Sequence, residues 1–165
     1  TALFQPHSYL PQGICTTGDC IDRIQLQAGT TGDDTFNGFE GERNVSTGIY
    51  FLLEQHDFSA FHKIKSDEMW HFYEGDTLEV HMIFDDGTHK AVKLGRDLEK
   101  GEMLQFVVPA GVWFGSRVAK GGDFSLVGCT VAPGFDFKDF EMPTAEALLE
   151  RFPKQKGIIE EMTRK

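Results

Sequence analysis

Cysteine is scarce in this chain of 165 residues: Cys15, Cys20 and Cys129 are the only three, with no C-x-x-C pair among them. An odd number cannot all pair within one chain, so free thiols in a reducing, cytoplasmic setting are expected, with a Cys15 to Cys20 bridge as the alternative for a secreted protein. Positive charge is short as well, 16 Lys and Arg against 26 Asp and Glu, for a net charge of -10. A chain so acidic repels phosphate backbones and anionic bilayers at long range, which removes nucleic acid and membrane from the expected partners. No apolar run approaches the roughly twenty residues of a membrane-spanning helix, and the opening "TALFQPHSYLPQG" lacks a basic flank followed by an apolar stretch. Neither G-x-G-x-x-G nor G-x-x-x-x-G-K-[ST] occurs, so no nucleotide cradle is expected, and no Ser or Cys stands in a nucleophile-elbow context. No internal repeat or low-complexity tract is present.

What is present is enough chain for one domain with a real core. From Val45 onward, short apolar runs alternate with turn signals such as "EGD", "DDG" and "KGG". Eight strands are expected, over Val45–Glu54, Ser59–Ile64, Glu68–Glu74, Thr77–Phe84, Thr88–Leu94, Met103–Val108, Val112–Val118 and Asp123–Val131. That number suits an all-β, two-sheet jelly roll. Leu78, Val80, Met82 and Phe84 share one side of their strand and should face its core. Ile49, Phe51 and Leu53 are opposed by Tyr50 and Leu52, so that strand needs cover on both faces, which a second copy of the chain would supply; a homodimer is expected. The chain divides into an N-terminal strand with a Gly, Thr and acid-rich loop (1–44), a barrel (45–132) and a C-terminal extension (133–165), all of one domain. In the extension, Thr144 is a candidate N-cap for a short helix from Ala145 to Phe152, stopped by Pro153, and "GIIEEMTR" could add another turn or two.

The stretch "FHKIKSDEMWHFYEGD", Phe61 to Asp76, crowds His62, Glu68, Trp70 and His71 together. It resembles the first motif of the cupin superfamily, G-x5-H-x-H-x3,4-E-x6-G, through His62, Glu68 and Gly75. "GEMLQFVVPAGVWFGS" resembles the second, G-x5-P-x-G-x2-H-x3-N, through Gly101, Pro109, Ala110 and Gly111, with a slightly longer first spacer. With "VAPGFDFKDFE", these segments look most like a small, functionally uncharacterised family of single-domain cupins. The resemblance implies a double-stranded β-helix of jelly-roll type.

Two of the four positions that hold a metal in other cupins carry hydrocarbon here: Ile64 replaces the second histidine of the first motif and Phe114 the histidine of the second. A zinc or iron site normally needs three or more protein ligands, so no metal and no other cofactor is expected. Aligned to the motif, Glu68 and Trp70 point into the barrel, while His71 and Tyr73 face outward, toward a dimer contact or solvent. His62 and Glu68 are therefore the candidate acid-base pair, burial raising the carboxyl pKa and a nearby anion that of the imidazole. Trp70, Gln105, Trp113 and Phe114 are the candidate ligand-binding residues, the aromatics as flat surfaces and Gln105 as a hydrogen-bonding group in the pocket.

The expected ligand is a small polar metabolite, in the first instance a sugar derivative, because cupin-fold sugar epimerases use a histidine base without a metal. The expected reaction is isomerisation or epimerisation. One alternative is a metal-dependent oxygenase or hydrolase in which His71 joins His62 and Glu68; another is a binding module without chemistry.

Overall fold

The structure is a computed structural model that describes residues 22–24, 36, 38–41 and 43–164. His7, Cys15, Cys20 and most of the loop expected at 27–44 lie outside the described residues. Among the described residues ten strands run in the order β1 (Asp22–Ile24), β2 (Thr47–Glu54), β3 (Phe58–Ile64), β4 (Asp67–Gly75), β5 (Leu78–Ile83), β6 (His89–Leu94), β7 (Gln105–Val108), β8 (Trp113–Val118), β9 (Phe124–Ala132) and β10 (Phe140–Glu141). They form two five-stranded sheets, β1-β2-β9-β4-β7 and β10-β3-β8-β5-β6, which face each other as a jelly roll. The eight strands expected from Val45 onward are β2 to β9.

Turn chemistry fixes the strand ends. At Gly75, the last residue of β4, φ is +95° and a Cβ would stand 2.3 Å from the Phe124 carbonyl oxygen, so only glycine fits the approach to β9. Between the sheets, alternate residues form one core that includes Leu53, Trp70, Leu78, Val80, Met82 and Val127.

The other side of β5 is not open to solvent. Helices α1 (Ala145–Arg151) and α2 (Lys156–Glu161) cover the outer face of the β3-β8-β5 sheet. There they bury Phe61, Ile83 and Trp113 under Leu148, Phe152 and Ile159. Thr144 caps α1, its hydroxyl oxygen accepting from the Ala147 N–H at 3.3 Å. The end of α2 is tied down where the Phe61 N–H donates to the Met162 carbonyl at 2.8 Å. His81, two residues before Ile83 on the same face of β5, lies under this cover and is 5% exposed. The outer face of the other sheet has no such cover among the described residues, and Tyr50, Met69, Tyr73 and Val107 are 51%, 37%, 42% and 38% exposed. No helix among the described residues is long and apolar enough to cross a membrane.

Candidate functional site

A cavity of about 180 Å³ lies within the barrel. β2 lines it with Thr47, Ile49 and Phe51, β3 with His62 and Ile64, β4 with Glu68 and Trp70, and β9 with Cys129 and Val131. The alternation of β4 places Glu68, Trp70 and Phe72 inside, with Met69, His71 and Tyr73 outside, as the motif alignment requires. On β3 the same alternation turns Ala60, His62 and Ile64 inward and Phe61 out to the helices.

His62 and Glu68 thus reach one cavity from opposite sheets. The Nδ1 of His62 lies 2.7 Å from the Ala60 carbonyl oxygen. A carbonyl can only accept, so Nδ1 carries the proton and Nε2 is the basic nitrogen. The ring is held between Phe114 and Phe140, whose centroids lie 4.1 and 5.3 Å away. Burial lowers its pKa from 6.5 to about 4, partly offset by the Ala60 hydrogen bond. Burial raises that of Glu68 from 4.5 to about 7, held back in part by the Cys129 thiol, which donates to the carboxylate. The Cys129 thiol is itself pushed well up, by burial first and then by the adjacent Glu68 charge. At neutral pH the imidazole is therefore uncharged. The expectation that an anion would raise the imidazole pKa is overturned, because desolvation outweighs every attraction available to the ring.

Of the other candidate residues, Trp70 lines the cavity, edge-on to Phe51 and Phe114 at 6.2 and 6.3 Å. Phe114 does not line it but backs the imidazole from β8, where it pairs with His62 across the strands. Trp113 is elsewhere: the residue next to Phe114 on a strand faces the other way, and Trp113 is buried against the helices with Lys63 Nζ 4.6 Å from its ring centroid. Gln105, expected in the pocket, is exposed on the outer face. The β4–β7 register sets Phe106 opposite Trp70 and Gln105 opposite His71, and paired residues share a face. There the Gln105 amide donates to His71 Nδ1 at 3.1 Å, and His71 Nε2 donates to Thr130 Oγ1 at 3.0 Å. His71 is thus on the wrong side of the sheet to join His62 and Glu68.

One wall was missed by sequence reasoning. Phe135, Phe137, Phe140 and Met142, from the segment after the cis Ala132–Pro133 bond, close the cavity from the side of the C-terminal extension. Their rings pack edge to face, Phe135 on Phe137 at 5.2 Å and on Phe140 at 5.9 Å. The segment is pinned at several points. Gly134 N–H donates to the Asn44 carbonyl at 2.7 Å and Phe135 N–H to Thr47 Oγ1 at 2.9 Å. Arg43 grips Asp139 with two donors, Nε at 2.8 Å and Nη2 at 3.2 Å, and holds its carboxyl below the usual range. The signal available in the sequence was the phenylalanine spacing in "GFDFKDF", which puts apolar rings on one side of an extended chain.

The profile of the Cupin superfamily (DUF985) matches residues 21–143. The chain belongs to this cupin family. An uncharacterized protein of Saccharomyces cerevisiae, YML079W, is 36% identical over 101 residues, 59% of this cupin and 50% of the yeast protein. The chain thus spans about half the length of that curated relative. A hypothetical protein from Leishmania major superposes with a TM-score of 0.79 at 34% identity, over 88% of this chain and 89% of that one. Protein SO0799 from Shewanella oneidensis superposes at 0.72 with 43% identity, over 79% and 82% of the two chains. A cupin 2 domain-containing protein from Halorhodospira halophila shares the fold alone, at 16% identity and a TM-score of 0.52, over 78% of this chain and 75% of its own.

Other members of the superfamily hold a metal at the motif positions, and the residues of this cupin do not fit one. Ile64 presents a side chain to the cavity with nothing to donate, and Phe114 fills its position with a ring packed against His62 at a tilt of 55°. Among the described residues no group of three His, Cys, Asp or Glu could hold a metal ion.

Proposed function

We propose that this cupin binds a small metabolite in the barrel cavity and shifts a proton on it between Glu68 and His62, as an isomerase or epimerase does. The observation that carries this reading is the opposite displacement of the two groups by burial: a carboxyl at about 7 and an imidazole at about 4. Near neutral pH a substantial share of Glu68 is the uncharged acid, while His62 is the uncharged base with Nε2 free to accept. For a ligand with a carbonyl group, His62 Nε2 takes the proton from the adjacent carbon as the Glu68 carboxyl gives one to the carbonyl oxygen. The C–H pair becomes the new C=C bond, the C=O π pair becomes the O–H bond, and the products are an enol, an imidazolium and a carboxylate. Return of the proton to either face or to the neighbouring carbon resets both groups and completes epimerisation or isomerisation. A water-poor, apolar cavity strengthens both hydrogen bonds to the reacting atoms.

Proton exchange in deuterated water tests the step. A ligand found by thermal stabilisation should gain deuterium on the wild-type protein and lose that gain in His62→Ala and in Glu68→Gln. A ligand that binds through these residues without exchanging would make the protein a binding module, the reading favoured by the wholly apolar 133–142 wall.

The same proposal includes a homodimer in a reducing cytoplasm, where the buried free thiol of Cys129 persists. Support for the dimer comes from the outer face of the β2-β9-β4-β7 sheet, which no helix covers among the described residues and where Tyr50 and Tyr73 pack on each other at 5.7 Å yet are 51% and 42% exposed. A second copy seated there would bury them, and sedimentation at micromolar concentration would show the doubled mass.

A further inference from the structure

The chemical class of the ligand can be read from the space and from the polar groups left unspent inside it; this rests on the reading above that the barrel cavity is the ligand site. A dry cavity of roughly 150 Å³ accepts benzene. At about 180 Å³, the cavity here has room for one six-membered ring and one or two substituent atoms. Its walls are branched aliphatic on the strands, with Ile49, Ile64 and Val131, and aromatic on the 133–142 segment, surfaces that favour the flat faces of a ring.

The polar lining is sparse and partly committed. Thr47 Oγ1 already accepts from the Phe135 N–H, the Cys129 thiol is given to Glu68, and His62 Nδ1 is given to Ala60. Beside Ser59 and Arg164, the groups that can read a ligand are the Glu68 carboxyl and His62 Nε2, one from each sheet, with the Trp70 indole N–H, buried without a hydrogen-bond partner, as a further donor. A hexose carries polar groups around its whole rim. Seated here it would leave several hydroxyls desolvated against Phe, Ile and Val, and each would lose more than its burial returns. A ring with only two oxygens, on opposite edges, leaves none.

We propose that the cavity takes a monocyclic, largely apolar ligand, an aromatic or enolisable six-membered ring with two oxygen substituents across the ring, one bonded to Glu68 and the other to His62. This replaces the sugar derivative that the superfamily resemblance implies. Hydroquinone and 4-hydroxycyclohexanone are the simplest compounds of the class: in each a hydroxyl donates to His62 Nε2 while the second oxygen meets the Glu68 carboxyl, and the cyclohexanone has a carbonyl flanked by removable protons.

Calorimetric titration of the purified protein with hydroquinone (under argon), 4-hydroxycyclohexanone, p-xylene and D-glucose tests it. The expected result is one-to-one binding of the two oxygenated rings, at least 10-fold tighter than p-xylene, which has the shape without the oxygens, and at least 10-fold tighter than glucose. His62→Ala should weaken hydroquinone about 10-fold, and Val131→Phe, which fills the cavity, by more. Ile49→Phe serves if Val131→Phe fails to fold by circular dichroism. Tight glucose binding that depends on His62, with no response to the rings, would overturn the ligand class while leaving the cavity as the site. Ring binding indifferent to His62→Ala and to the cavity-filling variants would overturn both, and so would the absence of binding by all four compounds.

Discussion

On the helix-backed side of the barrel, β3, β5 and β8 have both faces buried, and Phe61, Ile83 and Trp113 are 0%, 0% and 6% exposed. On the other side, β2 and β4 bury one face and leave Tyr50, Met69 and Tyr73 at the surface. Strands on both sides carry large apolar residues on their outer faces, yet one sheet is covered by α1 and α2 while the other has no such cover among the described residues. The histidines show the same divide. His81, under the helices, starts a chain that runs out to the surface: it meets His89 at 3.1 Å and Glu79 at 3.4 Å, while Arg117 joins Glu79 at 3.3 Å to the exposed Glu161 of α2 at 2.6 Å. His71, on the open side, is tied to its neighbours Gln105 and Thr130 and lies parallel to the Tyr73 ring. Double-sided greasiness in a strand therefore reports that cover exists, and the identity of the cover comes from elsewhere in the chain.

The sharpest way to break this comparison is to truncate equivalent aromatics on the two sides. Phe61→Ala should cost about 3–5 kcal/mol in urea denaturation, because it empties a sealed space. Tyr73→Ala should cost under about 1 kcal/mol when measured on monomer, and equal losses would erase the distinction.

The inner faces offer the next effect, with one ionisable group from each sheet. Glu68 has its pKa raised from 4.5 to about 7, so its contribution to stability is present below 4.5 and lost as pH rises to 7. His62 has its pKa lowered from 6.5 to about 4, so its contribution is present above 6.5 and lost as pH falls to 4. The slopes are opposite, each about 1.4 kcal/mol per pH unit at most, and largely cancel between pH 4.5 and 6.5. Over that window, Glu68→Gln should make stability rise with pH more steeply than in wild type, and His62→Gln should make it fall. Chemical denaturation at a series of pH values reads both signs; a common sign would mean that the two groups do not share a dry interior.

A smaller loss, about 1–3 kcal/mol, is expected for Arg43→Ala, which strands the Asp139 carboxylate and loosens the aromatic wall. Ligand affinity should weaken along with thermal stability. The smallest stability effect, within about 0.5 kcal/mol for the monomer, belongs to Tyr50→Lys on the open face. There the informative readout is sedimentation, which should shift from dimer to monomer.

The strand plan was legible because the barrel strands alternate cleanly and are punctuated by glycine turns, so β2 to β9 and the inward set of β4 follow from period and motif alone. His62 and Glu68 were legible for the same reason. Gln105 was not, because "MLQFVV" is apolar on both of its sides and only the pairing of Phe106 with Trp70 decides which side is inner. Trp113 was misplaced for a related reason: a strand beneath a helix pair buries both neighbours, so burial does not say which one meets the cavity. The wall at 133–142 lay hidden because nothing local says that this segment folds back. Its place is set by partners distant in the chain, Asn44, Thr47 and Arg43.

That last arrangement separates two burdens within one small domain. The strands carry His62 and Glu68, whereas the aromatic wall of the cavity comes from a short segment after β9 that joins the barrel's sheets through β10, at the edge of one of them. Exchanging Phe135, Phe137 or Phe140 for other side chains should retune what enters while sparing the scaffold, so a few substitutions in one tail would suffice to turn this vessel toward a new guest.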